Sequence, residues 1–382
     1  MPPLSGAYHV CRESVRMSIW RFADLFSTTP AEHRVTLGEG NTPLVRSRTI
    51  GPELGFKHLY FKLESSNPSG SYKDRFAAAA ISHMLAENKT RCEATSSGNT
   101  GAALAAYCAA AGIDCRIAIV ESAPIGKLQQ MMCYGADIYR IRGFGIDPQI
   151  SADGIEYIRS CAKHPSAELQ ISAFQFCPVG MAGVQTIAYE LAEQASSGEI
   201  DGGRIDHLFV QAGGGGLTLA CARGFAQLVQ RREIDRGPAV HCVQPEGNDT
   251  MAGPLRDGAN EGRNVNCTAT ISGLQVANLI DGNEVITACR AAGGTGHLVA
   301  DELTYQVQRR LAEDEGIFSE PAGVVGVAGA LQAMQVGAIH SEDRIVCLIT
   351  GTGFKDPGAV DSMLSGRECP LNDLSELRAK LP

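Results

Sequence analysis

The 382-residue chain lacks the patterns that mark several classes of protein. No run of about 18 apolar residues occurs, so we expect no membrane-spanning helix. The N-terminus has no basic stretch followed by an apolar one, as a secretory signal would have. Basic residues number 33 against 42 acidic ones, and the net charge of −9 disfavours nucleic acid and anionic membranes as partners. We therefore expect a cytoplasmic protein without a nucleic-acid or membrane partner.

Metal-binding signals are also missing from the sequence. The 13 cysteines occur singly from Cys11 to Cys369, without any C-x-x-C pair. No Cys/His group has the spacing of metal ligands, so we predict that the protein holds no metal. Unpaired thiols in this number suit a reducing compartment better than secretion.

What the chain does have is an alternation of strand-like and helix-like segments between residues 36 and 355. Predicted strands include residues 59–62, 115–120, 207–211, 239–243 and 344–350, and predicted helices include residues 74–87, 100–111, 184–194, 218–231 and 301–315. This order predicts an α/β fold with mostly parallel, twisted sheets flanked by helices. The strands are continuously apolar, which indicates burial on both faces of the sheet.

The segment SNPSGSYKDR, residues 66–75, places Lys73 at the start of a predicted helix. A cation is disfavoured there by the helix dipole. A lysine whose charge is disfavoured is a good nucleophile, because its neutral amine is available. A surface ion pair between Lys73 and Asp74 explains the same residues, so this segment alone leaves both interpretations open.

Residues 93–112, EATSSGNTGAALAAYCAAAG, form a polar loop that opens an alanine-rich helix. The unpaired N–H groups at such a helix start can bind an anion such as a carboxylate. Side-chain donors are added by Ser96, Ser97, Asn99 and Thr100. Simple capping of the helix by Asn99 or Thr100 is the alternative interpretation.

A third segment, FVQAGGGGLTLA at residues 209–220, has Gly213, Gly214, Gly215 and Gly216 between a strand and a helix. Glycine lets the backbone approach a phosphate closely and turn its N–H groups toward it. The spacing matches neither G-x-G-x-x-G nor G-x-x-x-x-G-K-[ST], so a small phosphate is indicated rather than a dinucleotide or nucleoside triphosphate. A fourth segment ends a buried strand at Thr350, where α/β sheets bind their ligands.

Together these segments resemble the β-family, or fold type II, of pyridoxal 5'-phosphate enzymes, to which the tryptophan synthase β chain also belongs. The resemblance runs from Trp20 to Pro357 and is closest to threonine synthases. It is carried by LGEGNTPLV (37–45), NPSGSYKDR (67–75), SSGNTGAALAAY (96–107), GKLQQMMCYGAD (126–137), EGIFSEPAG (315–323) and LITGTGFKDP (348–357).

The resemblance implies a cofactor and the residues that hold it. Lys73 would carry pyridoxal 5'-phosphate as a Schiff base and later act as acid and base. Asn99 would bond the phenolic oxygen of the cofactor, the four glycines Gly213 to Gly216 its phosphate, and Thr350 its ring nitrogen. A ring nitrogen that faces a neutral hydroxyl is less protonated than one that faces a carboxylate, so the ring withdraws electrons less strongly. This suits elimination and replacement at the substrate β- or γ-carbon.

For the substrate, the resemblance implies a small amino acid bound by Ser96, Ser97 and Thr100. Many relatives hold a substrate phosphate with N-x-x-N-P-x-R, but here residues 174–186 read FQFCPVGMAGVQT, with Gly180 in place of the arginine. We expect Lys127 or Arg75 to compensate for that missing cation.

The resemblance leaves three functions open. The first is threonine synthase, which converts O-phospho-L-homoserine and water into L-threonine and phosphate. The second is β-elimination or β-replacement on serine, threonine or a phosphoserine-like substrate, which the dehydratase-like GGGGL segment favours. The third is binding of an amino acid without turnover, against which the intact set of cofactor residues argues.

Two further expectations follow from the family. Residues 1–75 and 185–382 would form a larger cofactor-binding domain, and residues 76–184 a smaller, mobile substrate-binding domain. The protein would be a homodimer.

Overall fold

A computed structural model describes residues 17–96, 98–121, 123, 125–144 and 147–381. The described chain forms two sheets. Their strands are β1 Leu44–Arg46, β2 His58–Lys62, β3 Arg91–Thr95, β4 Asp114–Ile119, β5 Asp137–Arg140, β6 Ala167–Gln170, β7 His207–Gln211, β8 Ala239–Pro245, β9 Gly296–Val299 and β10 Arg344–Leu348.

The helices alternate with these strands along most of the chain. They are α1 Ala23–Phe26, α2 Ile50–Glu53, α3 Lys73–Ala86, α4 Asn99–Ala111, α5 Ile125–Cys133, α6 Pro148–Cys161, α7 Pro178–Val184, α8 Thr186–Ser196, α9 Gly216–Gln230, α10 Ala252–Arg256, α11 Gly282–Ala291, α12 Asp301–Glu315, α13 Val325–Gln335, α14 Pro357–Met363 and α15 Leu374–Lys380. No helix of the described chain is long and apolar enough to cross a bilayer.

The larger sheet has six strands in the order β1-β2-β10-β7-β8-β9. Its strand pairs are parallel except for β1, which runs antiparallel to β2 at the edge of the sheet. The smaller sheet has four parallel strands in the order β5-β4-β3-β6. The predicted α/β fold with mostly parallel sheets is therefore confirmed.

The two sheets use different parts of the chain. Residues 91–170 supply the smaller sheet, whereas residues 44–62 and 207–348 supply the larger one. The proposed division into residues 76–184 and the remainder remains a prediction.

Several predicted elements end at different residues. The helix expected over residues 184–194 is α8, Thr186–Ser196, and the separate helix α7 ends at Val184. The short strands β1, β6 and β9 were not predicted, because three or four residues with mixed burial give little periodicity to detect. Strand β3 was not predicted either: residues 93–95, expected in a polar loop, belong to this strand, whose Arg91 and Glu93 interrupt any apolar run.

Helix α3 lies at the centre of the protein. Its alanines, Ala77 to Ala80, are buried and present no side chain beyond Cβ, so neighbouring helices can come close. Gly183 of α7 approaches so closely that a Cβ atom there would collide with the backbone oxygen of Arg75. Close packing of α3 fixes the position of Lys73, its first residue.

A buried network of charges joins α3 to the larger sheet. The guanidinium of Arg75 lies 2.7 Å from the carboxylate of Glu64 and 3.1 Å from that of Glu190. Glu190 also pairs with Lys62 of β2, and all four side chains are buried. A buried charge is tolerated when it is paired in this way. Arg75 faces away from solvent and is engaged by two carboxylates, so the expectation that it binds substrate is wrong.

Candidate active site

A cavity of about 1180 Å³ opens at the carboxyl ends of strands from both sheets. Ser96 follows β3, Ser172 lies just beyond β6, Gln211 ends β7 and Thr350 lies just beyond β10, and all four line the cavity. Ligands bind at the carboxyl ends of parallel strands because backbone and loop groups there are not used by the sheet.

Lys73 lies on the wall of this cavity. Its ammonium nitrogen donates a hydrogen bond of 2.6 Å to the hydroxyl oxygen of Ser172. Burial lowers the pKa of Lys73 to about 7, although the nearby carboxylate of Asp281 acts in the opposite direction. A large fraction of Lys73 is therefore unprotonated near neutral pH, and an unprotonated amine is nucleophilic.

Ser172 connects Lys73 to the start of α4. The hydroxyl of Ser172 lies 2.9 Å from that of Thr100, and Lys73 donates to the same Ser172 oxygen. This chain of polar groups offers a route for a proton between the lysine and the hydroxyl of Thr100 at the start of α4. Ser172 was not predicted, since a serine two residues after a short strand carries no pattern of its own.

The four glycines, Gly213 to Gly216, line the cavity and lead into α9. Gly215 has a φ angle of +97°, a conformation that favours glycine, and a Cβ atom there would lie 2.8 Å from a methyl of Val285. A Cβ atom at Gly216 would lie 2.9 Å from Met181. A side chain is therefore disfavoured at Gly215, and the backbone of the loop lies at the N-terminus of a helix, where N–H groups attract an anion.

Asn99 lies across the cavity as the first residue of α4. Its amide nitrogen donates a hydrogen bond of 2.6 Å to a carboxylate oxygen of Glu320. An amide nitrogen carries two protons, so one such bond leaves the second available to a ligand.

Thr350 is buried and its hydroxyl oxygen accepts a hydrogen bond of 2.8 Å from the side-chain amide of Gln211. The sequence pattern predicts a role for Thr350 but not for Gln211. Its position as the last residue of β7, directly before the glycine loop, was the available signal.

Lys355 adds a second amine to the wall of the cavity, in addition to that of Lys73. The ammonium of Lys355 donates a hydrogen bond of 2.6 Å to the side-chain oxygen of Gln130. The amide nitrogen of Gln130 donates in turn to the backbone oxygen of Ser69, at 3.0 Å. Among the described lining residues, the basic side chains are Lys73 and Lys355, and the acidic one is Glu320.

The loop before α4 differs in one respect from what the sequence predicts. Helix α4 begins at Asn99 after Gly98, and neither Asn99 nor Thr100 caps it. Instead the hydroxyl oxygen of Ser96 accepts from the backbone N–H groups of Gly98 and Gly101, at 3.3 and 3.2 Å. Capping by Asn99 or Thr100 is therefore wrong.

Two predicted substrate-binding side chains are not placed. Ser97 lies outside the described residues, and so does the side chain of Lys127. The other predicted residues, Lys73, Ser96, Asn99, Thr100, Gly213, Gly214, Gly215, Gly216 and Thr350, all line the one cavity.

Gly180, the position at which the family resemblance leads us to expect an arginine, is buried against other side chains. A Cβ atom at Gly180 would lie 2.6 Å from the ring of Phe76 and 2.9 Å from the sulfur of Cys177. The position therefore has no room for a side chain of any kind.

The chain is similar to known proteins over most of its length. The family described as pyridoxal-phosphate dependent enzymes matches residues 35–351. The chain is 31% identical over 372 residues to a threonine synthase of Methanocaldococcus jannaschii, covering 96% of this chain and 88% of the relative. It is 30% identical over 354 residues to a threonine synthase of Halalkalibacterium halodurans, covering 91% of this chain and 93% of the relative.

Solved structures share the fold. Serine racemase of maize matches with a TM-score of 0.70 at 24% identity, over 89% of this chain and 94% of its own. Diaminopropionate ammonia lyase of Escherichia coli matches with a TM-score of 0.72 at 18% identity, over 91% of this chain and 92% of its own.

The chain therefore belongs to the family of pyridoxal phosphate-dependent enzymes. It is a pyridoxal phosphate-dependent lyase, and curated relatives that it matches are threonine synthases. The residues around the cavity fit that cofactor, because they combine a lysine of lowered pKa, a loop of four glycines at a helix start, and a hydroxyl just beyond a strand end.

Proposed function

We propose that this enzyme converts O-phospho-L-homoserine and water into L-threonine and phosphate. The observation that carries the proposal is the second amine of the cavity, Lys355, which complements a substrate with a phosphate at the far end from its amino acid group. The curated threonine synthases, about 30% identical over most of the chain, support the same assignment.

In this proposal the cofactor is held by residues from several strand ends. Lys73 binds it covalently through its amine, and the backbone of Gly213 to Gly216 holds its phosphate. The amide of Asn99 bonds its phenolic oxygen, and the hydroxyl of Thr350 faces its ring nitrogen. Once bound, the cofactor supplies an electron sink that stabilises negative charge on the carbons of the substrate.

The substrate occupies the rest of the cavity. Its carboxylate binds at the start of α4, where Ser96 and Thr100 lie at the N-terminus of a helix, the end that attracts an anion. Its phosphate binds the ammonium of Lys355, which Gln130 holds at 2.6 Å. These two ends fix the direction in which the amino acid lies.

Proton movement falls to Lys73. A group with a pKa of about 7 can both accept and return a proton near neutral pH, which general acid and base catalysis requires. The hydroxyl of Ser172, 2.6 Å from the lysine nitrogen, holds that nitrogen in place and can pass its proton toward Thr100.

A second candidate function is β-elimination or β-replacement on serine, threonine or a phosphoserine-like substrate. It is favoured by the position of Gly180, whose packing against Phe76 leaves no space for an arginine that could hold a substrate phosphate. This function is placed second because the ammonium of Lys355 offers the cavity another cation for a substrate phosphate.

The test compares substrates and variants. Purified enzyme is supplied with O-phospho-L-homoserine, L-serine, L-threonine or O-phospho-L-serine, and released phosphate and products are measured. We expect threonine and phosphate in equal amounts from the first substrate. We expect Lys355→Gln to raise KM for phosphohomoserine at least tenfold, since a charged hydrogen bond contributes about 1.5–3 kcal/mol. The control, Lys163→Gln, alters an exposed lysine and should change nothing.

Turnover of serine or threonine without any release of phosphate from phosphohomoserine would show that the second function is correct.

Replacement of Lys73 by Ala tests the attachment of the cofactor independently of the substrate. After treatment with borohydride, the cofactor should be attached to a peptide containing Lys73 in the wild type and absent from the variant. The homodimer and the cytoplasmic location remain predictions from the sequence.

A further inference from the structure

A group of three thiols lies together outside the cavity, in the smaller sheet and the helix next to it. Cys92 is on β3, Cys108 on α4 and Cys115 on β4. Their sulfur atoms all lie within 4.8 Å of one another, and among the described residues this is the one group of three metal-ligating side chains found so close together.

The fold explains why these thiols meet. Cys92 and Cys115 are partners in the register of two adjacent parallel strands, so their side chains project from the same face of the sheet. Helix α4 packs against both strands and adds Cys108 from above. The relative exposure of the three residues is 0%, 7% and 0% in the order Cys92, Cys115, Cys108.

Burial by itself does not account for the arrangement. The described core also holds Cys177, Cys221, Cys242, Cys289 and Cys347. A buried cysteine can act as a small apolar residue and has no need of other thiols around it. No three of these other cysteines come together in the way that Cys92, Cys108 and Cys115 do within the described chain.

The spacing suits a single metal ion. Bonds of about 2.3 Å from thiolate to metal place three sulfur ligands about 4 Å apart around one ion. The sulfur atoms here are within 4.8 Å of one another, so small side-chain movements would bring all three into contact with an ion. The three ligands are all soft sulfur atoms, and soft ligands select soft cations.

We propose that Cys92, Cys108 and Cys115 form a three-coordinate binding site for copper(I). Zinc in a structural site takes four ligands, and among the described residues the group offers three. Burial of the group also keeps water from supplying a fourth ligand. Copper stays in the monovalent state, and each thiol that binds as a thiolate releases one proton to solvent.

The site would connect β3, α4 and β4 through a single ion. Helix α4 also carries Asn99 and Thr100 at its start, and the loop with Ser96 follows β3. An ion that binds only the folded state adds to its stability. We therefore expect bound copper(I) to raise the thermal midpoint of the enzyme.

The test uses the complete enzyme with its cofactor, titrated with copper(I) under anaerobic conditions in the presence of bicinchoninate as a competing chelator. The competitor removes copper held weakly by single surface thiols. We expect the wild type to retain one equivalent of copper and to show a higher thermal midpoint. Cys92→Ala and Cys108→Ala should retain none. The matched control, Cys347→Ala, removes a buried thiol of the larger sheet and should retain one equivalent.

Retention of no copper by the wild type would overturn the proposal, as would equal retention by the wild type and all three variants. Folding of each variant is checked by its cofactor absorbance. Should the Cys92 or Cys108 variant lose its fold, X-ray absorption of the copper-loaded wild type decides instead. Three sulfur neighbours around copper are expected, whereas two sulfur neighbours or a shell of nitrogen and oxygen would contradict the site.

Discussion

The side-chain amide of Gln211 donates a hydrogen bond of 2.8 Å to the hydroxyl oxygen of Thr350. The same amide nitrogen lies 3.2 Å from the backbone oxygen of Gly323 and 3.3 Å from that of Leu348. Carbonyl oxygens only accept hydrogen bonds, so they fix which end of the amide is the nitrogen. The hydroxyl oxygen of Thr350 therefore accepts a hydrogen bond from Gln211. In the proposed function, the hydroxyl proton of Thr350 is then donated to the ring nitrogen of the cofactor.

Replacement of Gln211 by Leu should weaken cofactor binding. Without the amide, the Thr350 hydroxyl is no longer held with its proton toward the cavity, and a buried hydrogen bond is lost at about 1–3 kcal/mol. We expect the Kd for pyridoxal phosphate to rise about tenfold, together with a shift in the absorbance of the bound cofactor. Equilibrium dialysis and absorbance spectra measure the two effects.

The matched control for that variant is Gln308→Leu. Gln308 and Gln211 are both buried, and the side-chain oxygen of each has no hydrogen-bond partner among the described residues. The side-chain amide of Gln308 donates a hydrogen bond of 2.9 Å to the backbone oxygen of Ser319. It should lower stability and leave the cofactor spectrum unchanged. Equal spectra in the two variants would show that Gln211 has no specific effect on Thr350.

Replacement of Gly215 by Ala should impair the phosphate loop. The φ angle of +97° is unfavourable for alanine, and its methyl group would lie 2.8 Å from Val285. Such a conformation costs about 1–2 kcal/mol before any contact is counted. The control Gly293→Ala has a φ angle of +76° but open space around the new methyl, so it carries the backbone cost alone. We expect weaker cofactor binding for Gly215→Ala only, measured by dialysis.

Replacement of Gly180 by Arg should not create a phosphate site here. The Cβ atom alone would lie 2.6 Å from the ring of Phe76, so Gly180→Arg overpacks the core. We expect its free energy of unfolding to fall by about 1–3 kcal/mol or more, and Gly180→Ala to show a smaller loss. Denaturant unfolding measures both. A stable Gly180→Arg enzyme with a lower KM for phosphohomoserine would contradict the packing argument.

The attachment of the cofactor should depend on pH near neutrality. Burial lowers the pKa of Lys73 to about 7, and only the unprotonated amine attacks the aldehyde. The rate at which apoenzyme takes up pyridoxal phosphate should therefore rise as the pH increases through about 7 and then level off. Stopped-flow absorbance across this pH range measures the midpoint.

Asp281 offers a check on the cause of that midpoint. Its carboxylate charge raises the pKa of Lys73 against the larger effect of burial. Removal of the charge in Asp281→Asn should move the midpoint to lower pH. A midpoint that moves upward, or that stays near the ordinary value for lysine in the wild type, would contradict this assignment.

The alternation of strands and helices that defines the α/β fold was predictable from the sequence, and so was the cavity-lining position of several residues. Lys73, the glycines of residues 213–216 and Thr350 each stand at a boundary between a strand or turn and the next element. The carboxyl ends of parallel strands meet at one edge of a sheet, so residues at those boundaries come together. Local sequence patterns were therefore sufficient to predict that these residues line the cavity.

Other features depended on residues far apart in the chain. Arg75 lies two residues from Lys73, yet Glu64 and Glu190 withdraw it into a buried network. Gln211 meets Thr350 because β7 and β10 are neighbours in the sheet. Lys355 meets Gln130 of α5 at the cavity, although the two residues are far apart in the chain. Sequence spacing gives no measure of such contacts.

The cysteines show the same limit most clearly. By itself the sequence determined which residue types were available and that strands alternate with helices, because such patterns depend on neighbours along the chain. Only the tertiary structure decided that Cys92, Cys108 and Cys115, separated by many residues, share one buried space. Strand register and helix packing set distances between remote residues, and both depend on the whole fold.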